Sequence, residues 1–313
     1  MLKDEFSQAI LKAKATPYSV VAAIPAFNEE KTIGSVVLLA RQHADVVVVV
    51  DDGSRDRTAM IAERAGASVI RHQRNQGYGA ALRSCFDFGR ACGCEVLVVL
   101  DGDGQHRPDM ISKVIEPVAA GTADVSIGSR LMTSESAAQI PRYRRFGIRL
   151  LTRLTNLGSG NRTKVKDAQS GFRAYSRKAV ELIDPREPNM GASAEILLVA
   201  RKNGLSIIEV PIVADYDVDG STKGPLVHGL TVIASIIRYV ETEHPLLAFG
   251  VPGFVLLAIG LLLGFQLLGV YNSTSVLSLS QALEAVMLVV LGSMLGLTGL
   301  ILHAVIAAAR RFR

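Results

Sequence analysis

The sequence predicts an α/β domain, a mostly parallel sheet flanked by helices, followed by two membrane-spanning helices. Three observations carry this. Short β-branched runs alternate with helical stretches from residue 18 to 130, the pattern of a parallel sheet whose crossovers are helices. One run, Val46–Val50, is valine throughout, as suits a strand buried on both faces. The charge then stops. Pro245 to Leu283 contains no Asp, Glu, Lys or Arg, Glu284 interrupts, and Ala285 to Ala309 is again free of them.

Taken in order, Val20 to Ile24 is an apolar run ending at Pro25, with a helical stretch after Glu29. The valine strand follows. A helix from Asp56 to Ala65 stops at Gly66, which can take the left-handed conformation that ends a helix. Ser68 to Arg71 reads as a short strand and Gly79 to Arg90 as a helix. Val96 to Leu100 is a second buried strand. Pro108 introduces a helix from Asp109 to Ala120, and Val125 to Ile127 is a strand.

The tail reads as two spans, about residues 246–270 and 285–309. Each would be about 37 Å long as a helix, enough to cross a bilayer with some tilt. Between them Tyr271 to Ser280 is polar and carries no basic group, whereas Arg238, His244, Arg310, Arg311 and Arg313 flank the outer ends. The positive-inside tendency puts both ends in the cytoplasm of a multi-pass membrane protein and the short loop outside. A buried helical hairpin in a soluble core is the alternative. Leu226, Leu230, Ile233, Ile237 and Val240 form an apolar stripe, so residues 225–244 read as an interfacial helix or a core-packing one. The expected organisation is therefore a catalytic domain over 1–224, this helix, and a membrane domain over 245–313.

Of the 313 residues, 49% are apolar and 20% charged, with a formal charge of +5. Residues 1–244 hold 31 basic and 28 acidic groups, a near-neutral domain that does not suit a nucleic-acid binder. Lys3, Asp4, Glu5, Lys12 and Lys14 break up any apolar N-terminal stretch, so no signal peptide is expected. Cys85, Cys92 and Cys94 are odd in number and lack a second ligand pair, so they read as buried free thiols.

In open parallel sheets, ligands bind beyond the carboxyl ends of the strands. Acidic and glycine-rich segments follow three strand ends: Pro25-Ala-Phe-Asn-Glu-Glu30, Asp51-Asp-Gly-Ser54, and Asp101-Gly-Asp-Gly-Gln105. Asp101 and Asp103, with glycine beside each, can point oxygen at one hard cation shared with a diphosphate, which suits Mg²⁺ or Mn²⁺. Asp51 and Asp52 stand where an acid accepts hydrogen bonds from ribose or base, while Asp56 reads as a helix cap. Asn75-Gln-Gly-Tyr-Gly79 is part of a dinucleotide fingerprint, but Leu82 stands at its third glycine, so no NAD site is read.

Together these motifs resemble a family-2 glycosyltransferase of the GT-A fold. The string is Pro-Ala-Phe-Asn-Glu at 25–29, Val-Asp-Asp-Gly-Ser at 50–54, Asp-x-Asp-x-Gln at 101–105 and Gly-Ser-Arg at 128–130. It continues with Asp-Ala-Gln-Ser-Gly-Phe-Arg at 167–173, Glu195 and Glu-Val-Pro at 209–211. The set is similar to the dolichyl- and polyprenyl-phosphate hexose synthases. The resemblance implies that Pro25, Phe27, Glu29, Val50 and Asp52 line the nucleotide. It implies that Asp101, Gly102, Asp103 and Gln105 serve the donor diphosphate, with Asp101, Asp103 and Gln105 on the metal. Arg130 would bind a phosphate, and Asp167 and Gln169 would face sugar or acceptor. Lys223 is kept from a family phosphate-binding stretch in which Asp217 replaces an Arg. With no Trp in the chain, the processive polysaccharide synthases and their Gln-x-x-Arg-Trp motif are disfavoured.

The implied reaction passes a hexose from a nucleotide sugar (GDP-mannose, UDP-glucose or a UDP-N-acetylhexosamine) to a dolichyl or polyprenyl phosphate, with inversion to a β-linked product for glycan or protein glycosylation. Arg142, Arg145, Arg149 and Arg153 recur at helical spacing beside Phe146, Leu150, Leu154 and Leu157. That is either a basic helix on an anionic membrane surface or an ordinary surface helix. His72 and His106 read as structural or solvated, and Lys164 and Lys166 as loop charges. The alternatives are a glycolipid, lipid-diphosphate or protein acceptor, or a non-catalytic membrane partner. Two helices per chain offer limited bilayer contact, which leaves room for a homo-oligomer.

Overall fold

The computed structural model describes residues 20–133, 140, 142–156, 164–188, 191–213 and 245–311. Lys223, Asp217 and the stretch 225–244 lie outside the described residues. The chain divides into two units, residues 1–225 and 226–313.

The first unit is built on seven strands: β1 (Val20–Ala26), β2 (Val46–Asp51), β3 (Ser68–Arg71), β4 (Val96–Val99), β5 (Val125–Ser129), β6 (Arg173–Ser176) and β7 (Ile207–Pro211). Their spatial order is β3-β2-β1-β4-β6-β5-β7. β3, β2, β1 and β4 pair in parallel, as do β5 and β7, while β6 runs antiparallel to both β4 and β5. This is the GT-A-type mixed sheet expected. Helices α1 (Ile33–Ala40), α2 (Thr58–Arg64), α3 (Tyr78–Cys92) and α4 (Ile111–Ala119) are the crossovers. After them come α5 (Arg142–Thr155), α6 (Arg177–Leu182) and α7 (Ala192–Lys202).

Two apolar layers sandwich the sheet. One gathers Val48, Val50, Leu97 and Val99 against Leu82, Phe86 and Ile196; the other gathers Val47, Val49, Val96 and Val98 against Val37, Ile111 and Val114. Alternate valines of β2 thus feed opposite layers, which is why that strand needs an apolar residue at every position. The edges differ from the sequence reading in one instructive place. β1 continues through Pro25, which pairs with Val50. Ala23 faces β4, accepting from Leu100 N, so Pro25 faces the same side two residues on. There β4 has already ended, and no ladder bond is lost to the missing N–H.

The second unit is a helical hairpin. A π-helical turn (Leu246–Gly250) leads into α8 (Val251–Thr274), and α9 covers Leu279–Arg311. Both are long and apolar enough to cross a membrane, and they are mostly exposed, unlike the helices of a soluble core. The connection is shorter than the polar stretch 271–280 indicated. Ser273 and Thr274 return their hydroxyls to the Val270 carbonyl (2.9 and 2.8 Å) and stay helical; Ser275, at φ 54°, ends the turn. The helices meet backbone to backbone. A methyl group added at Gly253 would lie 2.7 Å from the Gly292 carbonyl, and one at Gly260 2.8 Å from Val289 N. Small residues permit this approach in membrane helices.

Candidate active site

Parallel strands β1, β2, β4 and β5 all end at one edge of the sheet. Because β6 is reversed, its start lies at that same edge, so the segment 165–172 arrives beside the tips of β4 and β5. Topology alone therefore gathers the motifs.

The tips of β1 and β2 are interlocked. Asn28 takes a left-handed conformation (φ 58°), which asparagine tolerates. Its N–H donates to Ser54 Oγ (2.9 Å), and its Oδ1 accepts from Arg55 N (3.0 Å). Glu29 N donates to Thr58 Oγ1 (2.8 Å) and Glu30 N to Asp56 Oδ2 (3.2 Å). Asp56 also accepts from Thr58 N (3.0 Å), so it serves both the turn into α2 and the neighbouring loop. Phe27 is exposed at this rim, and Val50 is buried beneath it.

Asp51 and Asp52 are both buried and turned inward. Asp51 accepts from Ser54 N (3.0 Å) and pairs with Arg71 (3.1 Å). Asp52 Oδ1 accepts from Gln76 N (3.0 Å) and meets His72 Nδ1 (2.7 Å); its Oδ2 accepts from Gly77 N (2.8 Å). The other nitrogen of His72 meets Ser84 Oγ (2.9 Å), so this histidine is structural. The residues that resembled a dinucleotide loop are thus gripped by Asp52, and the next residue, Tyr78, donates its hydroxyl to Asp101 Oδ1 (3.0 Å). Asp52 and Asp101 hold opposite ends of one short segment.

Asp101 and Asp103 follow β4. His106 Nε2 stands 3.5 Å from Asp101 Oδ2, with its ring tilted on Phe172. Asp103 Oδ1 accepts from Gln105 N (2.9 Å). Thr32 ties the β1 loop in by donating to the Gly102 carbonyl (2.7 Å). Gly171 closes the other side. A Cβ there would fall 2.3 Å from Asp101 Oδ2, so only glycine lets the β6 approach pass.

The electrostatics mark a deficit of positive charge. Burial and the neighbouring charges of Asp103 and Asp101 push Glu29 up to about 7. Burial and the Asp101 charge raise Asp103 as well. Burial works to raise Asp101 too, but the His106 and Tyr78 hydrogen bonds and the nearby Arg130 charge hold it below the usual carboxylate range. A cluster of hard oxygen donors whose members repel one another suits a divalent cation of the Mg²⁺ or Mn²⁺ type. Among the described residues no three Asp, Glu, His or Cys side chains form a complete metal cage. Such a cation would need further oxygens from elsewhere, as a diphosphate supplies.

Arg130 follows β5 and is clamped by Asp167. Its Nε and Nη2 donate to the two carboxylate oxygens (2.8 and 3.0 Å), and its N–H adds a third bond (3.2 Å). Burial would raise Asp167; the Arg130 charge and hydrogen bonds override it and hold the carboxyl below its ordinary value. Asp167 is held from behind by Glu209, which accepts from Lys166 N (2.7 Å) and Asp167 N (2.9 Å). Gln169 is half-buried and stands in the chain between Asp167 and Gly171. Helix α5 presents Phe146, Arg149 and Arg153 outward and buries Thr152, whose hydroxyl accepts from Ala168 N (3.0 Å). Glu195 accepts from Arg186 N and Glu187 N (2.9 and 2.8 Å) and so clasps the loop that packs on the start of α3.

Residues 21–183 match the model of the glycosyl transferase family 2. The chain is a family 2 glycosyltransferase. The glycosyltransferase is 33% identical to the UDP-N-acetylglucosamine–dolichyl-phosphate N-acetylglucosaminyltransferase of Methanococcus voltae, across 64% of this chain and 87% of that one. It is 34% identical to the polyprenol monophosphomannose synthase of Mycolicibacterium smegmatis, across 60% and 74% respectively. Among solved structures it shares its fold with the glucosyl-3-phosphoglycerate synthase of Mycobacterium tuberculosis (TM-score 0.55, 21% identity, 75% and 83% covered).

The supports Tyr78, Thr32, Arg173 and Glu209 carried no role in the sequence reading. Glu209, Arg173 and Tyr78 lay inside quoted motifs, which was the available signal. Cys85 and Cys94 are buried and Cys92 is half-buried; all three are free thiols.

Proposed function

We propose that this glycosyltransferase passes a hexose from a nucleoside diphosphate sugar to a polyprenyl or dolichyl phosphate at a membrane surface, with inversion to a β-linked lipid phosphosugar. One juxtaposition carries the reading: at a single sheet edge, the Asp101–Asp103 carboxylates stand beside a cation, Arg130, fixed by a buried clamp. The two apolar helices and the relatives that act on lipid phosphates support the acceptor class.

Phe27, Glu29 and Val50 line the nucleotide end, with Asp52 and Gly102 shaping that wall. Asp101, Asp103 and Gln105 hold a divalent ion and the donor diphosphate. When bound, the ion neutralises charge on the departing nucleoside diphosphate. Arg130 meets a phosphate oxygen, and its clamp spares it the reorganisation a free arginine would need. Gln169 and Asp167 border the sugar and acceptor. Lys223 adds a phosphate contact. A lipid phosphate is already anionic near neutral pH, so no strong general base is required, and orientation supplies much of the rate. Phe146, Arg149 and Arg153 of α5 face the membrane surface. The catalytic unit and both chain ends lie on the cytoplasmic side.

The test is transfer of radiolabelled sugar into organic-extractable lipid, using a short polyprenyl phosphate and a panel of GDP-mannose, UDP-glucose and UDP-N-acetylglucosamine with Mn²⁺ or Mg²⁺. Asp103→Ala should lose at least about 10²-fold in kcat while the protein still folds. Full activity in that variant removes the proposed metal site. Transfer only to a glycolipid, lipid diphosphate or protein changes the acceptor.

A further inference from the structure

Strand β6 opens on a buried cation that the proposed reaction does not use. Arg173 is 2% exposed. A guanidinium does not shed its proton in a protein, so burying it costs several kcal/mol, roughly, unless its N–H groups are satisfied. Arg173 satisfies them on main-chain carbonyls. Nη2 donates to Ala168 O (2.7 Å), Nε to Ser170 O (2.9 Å) and Nη1 to Ser193 O (2.9 Å). Two of these acceptors flank Gln169, and the third lies in the first turn of α7.

The planar fork presents its donors at fixed angles. It therefore orients the 168–169 and 170–171 peptide planes at once, one just before Gln169 and one a residue after it, which a flexible lysine ammonium does not. One residue further on, Gly171 brings the chain against Asp101; two residues before Gln169, Asp167 clamps Arg130. The segment joining those two groups is held on its carbonyls by this guanidinium and on the Ala168 N–H by Thr152.

We propose that Arg173 is a positioning residue for the transfer step: by holding the carbonyls of Ala168 and Ser170 it fixes Gln169 between Asp101 and the Arg130 clamp. The inference rests on the transferase reading above. Its substrate-side consequence falls on turnover. Arg173 is not placed on the nucleotide, so donor affinity should survive its replacement.

The experiment compares full-length wild type, Arg173→Lys, Gln169→Ala and the double variant in mild detergent, with the donor and lipid phosphate that the panel selects. Arg173→Lys keeps the charge and loses the fork. It should melt within about 3 °C of wild type, a loss of about 1 kcal/mol in a chain of this size. Its kcat should fall at least about tenfold with the donor KM within about twofold. In the Gln169→Ala background the same change should cost less than about twofold, because the group being positioned is gone. Losses that simply multiply in the double variant overturn the proposal. So do a Gln169→Ala enzyme of full activity, wild-type kcat in Arg173→Lys, and a Lys variant that melts far below wild type, which would make Arg173 a scaffold group alone. A wild type inactive on every lipid phosphate removes the transferase reading and this inference with it. An active wild type beside a kinetically normal Arg173→Lys removes the inference alone.

Discussion

Asp167 shows how much one buried carboxylate decides. It lies at 0% exposure with both oxygens on Arg130. Asp167→Asn removes the charge and leaves the guanidinium facing an amide, so stability should fall by about 3 kcal/mol, measured by denaturant titration in detergent. The pH dependence follows with a definite sign. The folded carboxyl titrates below its unfolded value of roughly 3.9. Its contribution is therefore complete above that unfolded value and is lost as pH falls through the folded one. Wild type should lose stability more steeply than Asp167→Asn over that acid range. Asp101, Asp103, Arg130 and Asp167 were legible because charged groups at strand tips have few structural reasons to be there. Their supports were not. Tyr78 reaches Asp101 across 23 residues and Glu209 reaches Asp167 across 42, and nothing in local spacing encodes such a bond.

At the scale of elements, the five strands read from the sequence are present because their valine, isoleucine and leucine side chains feed the two apolar layers on either side of the sheet. β6 and β7 were not among them, β6 for the opposite reason. Arg173-Ala-Tyr-Ser176 has no apolar run, and its arginine is bonded to main chain rather than solvated. The connection 271–280 was overestimated because its hydroxyl side chains return to helix carbonyls, a use of polar residues that composition cannot distinguish from a loop. Helix α3 offers a test of element packing. Gly79 N donates to the Pro188 carbonyl (2.8 Å), and a Cβ at Gly79 would fall 1.8 Å from the Glu187 carbonyl oxygen. Gly79→Ala must push the start of α3 off the 185–188 segment, at a cost of about 1–3 kcal/mol. Since the adjacent Tyr78 bonds Asp101, the variant should also weaken the Mn²⁺ binding proposed for Asp101 and Asp103, read by calorimetry. Unchanged melting would contradict the packing described, and unchanged metal affinity the proposed link from Tyr78 to the metal site.

For the molecule as a whole, the apolar tail was the plainest message of the sequence, and its two helices are long and apolar enough to cross a membrane. The proposed orientation has a direct check. Ser278→Cys, in the connection between the helices, should react with a membrane-impermeant maleimide added to intact cells, while the half-buried Cys92 of the catalytic unit does not until the cells are opened. Protection of Ser278→Cys in intact cells would reverse the topology. The glycine seam of the hairpin has a last consequence. With Gly253 and Gly292 in main-chain contact, the two legs leave no slot for a hydrocarbon. An isoprenoid tail on the proposed acceptor cannot thread between them, so this hairpin offers no slot that gauges its length. Chains of very different polyprenol length should then be used almost equally.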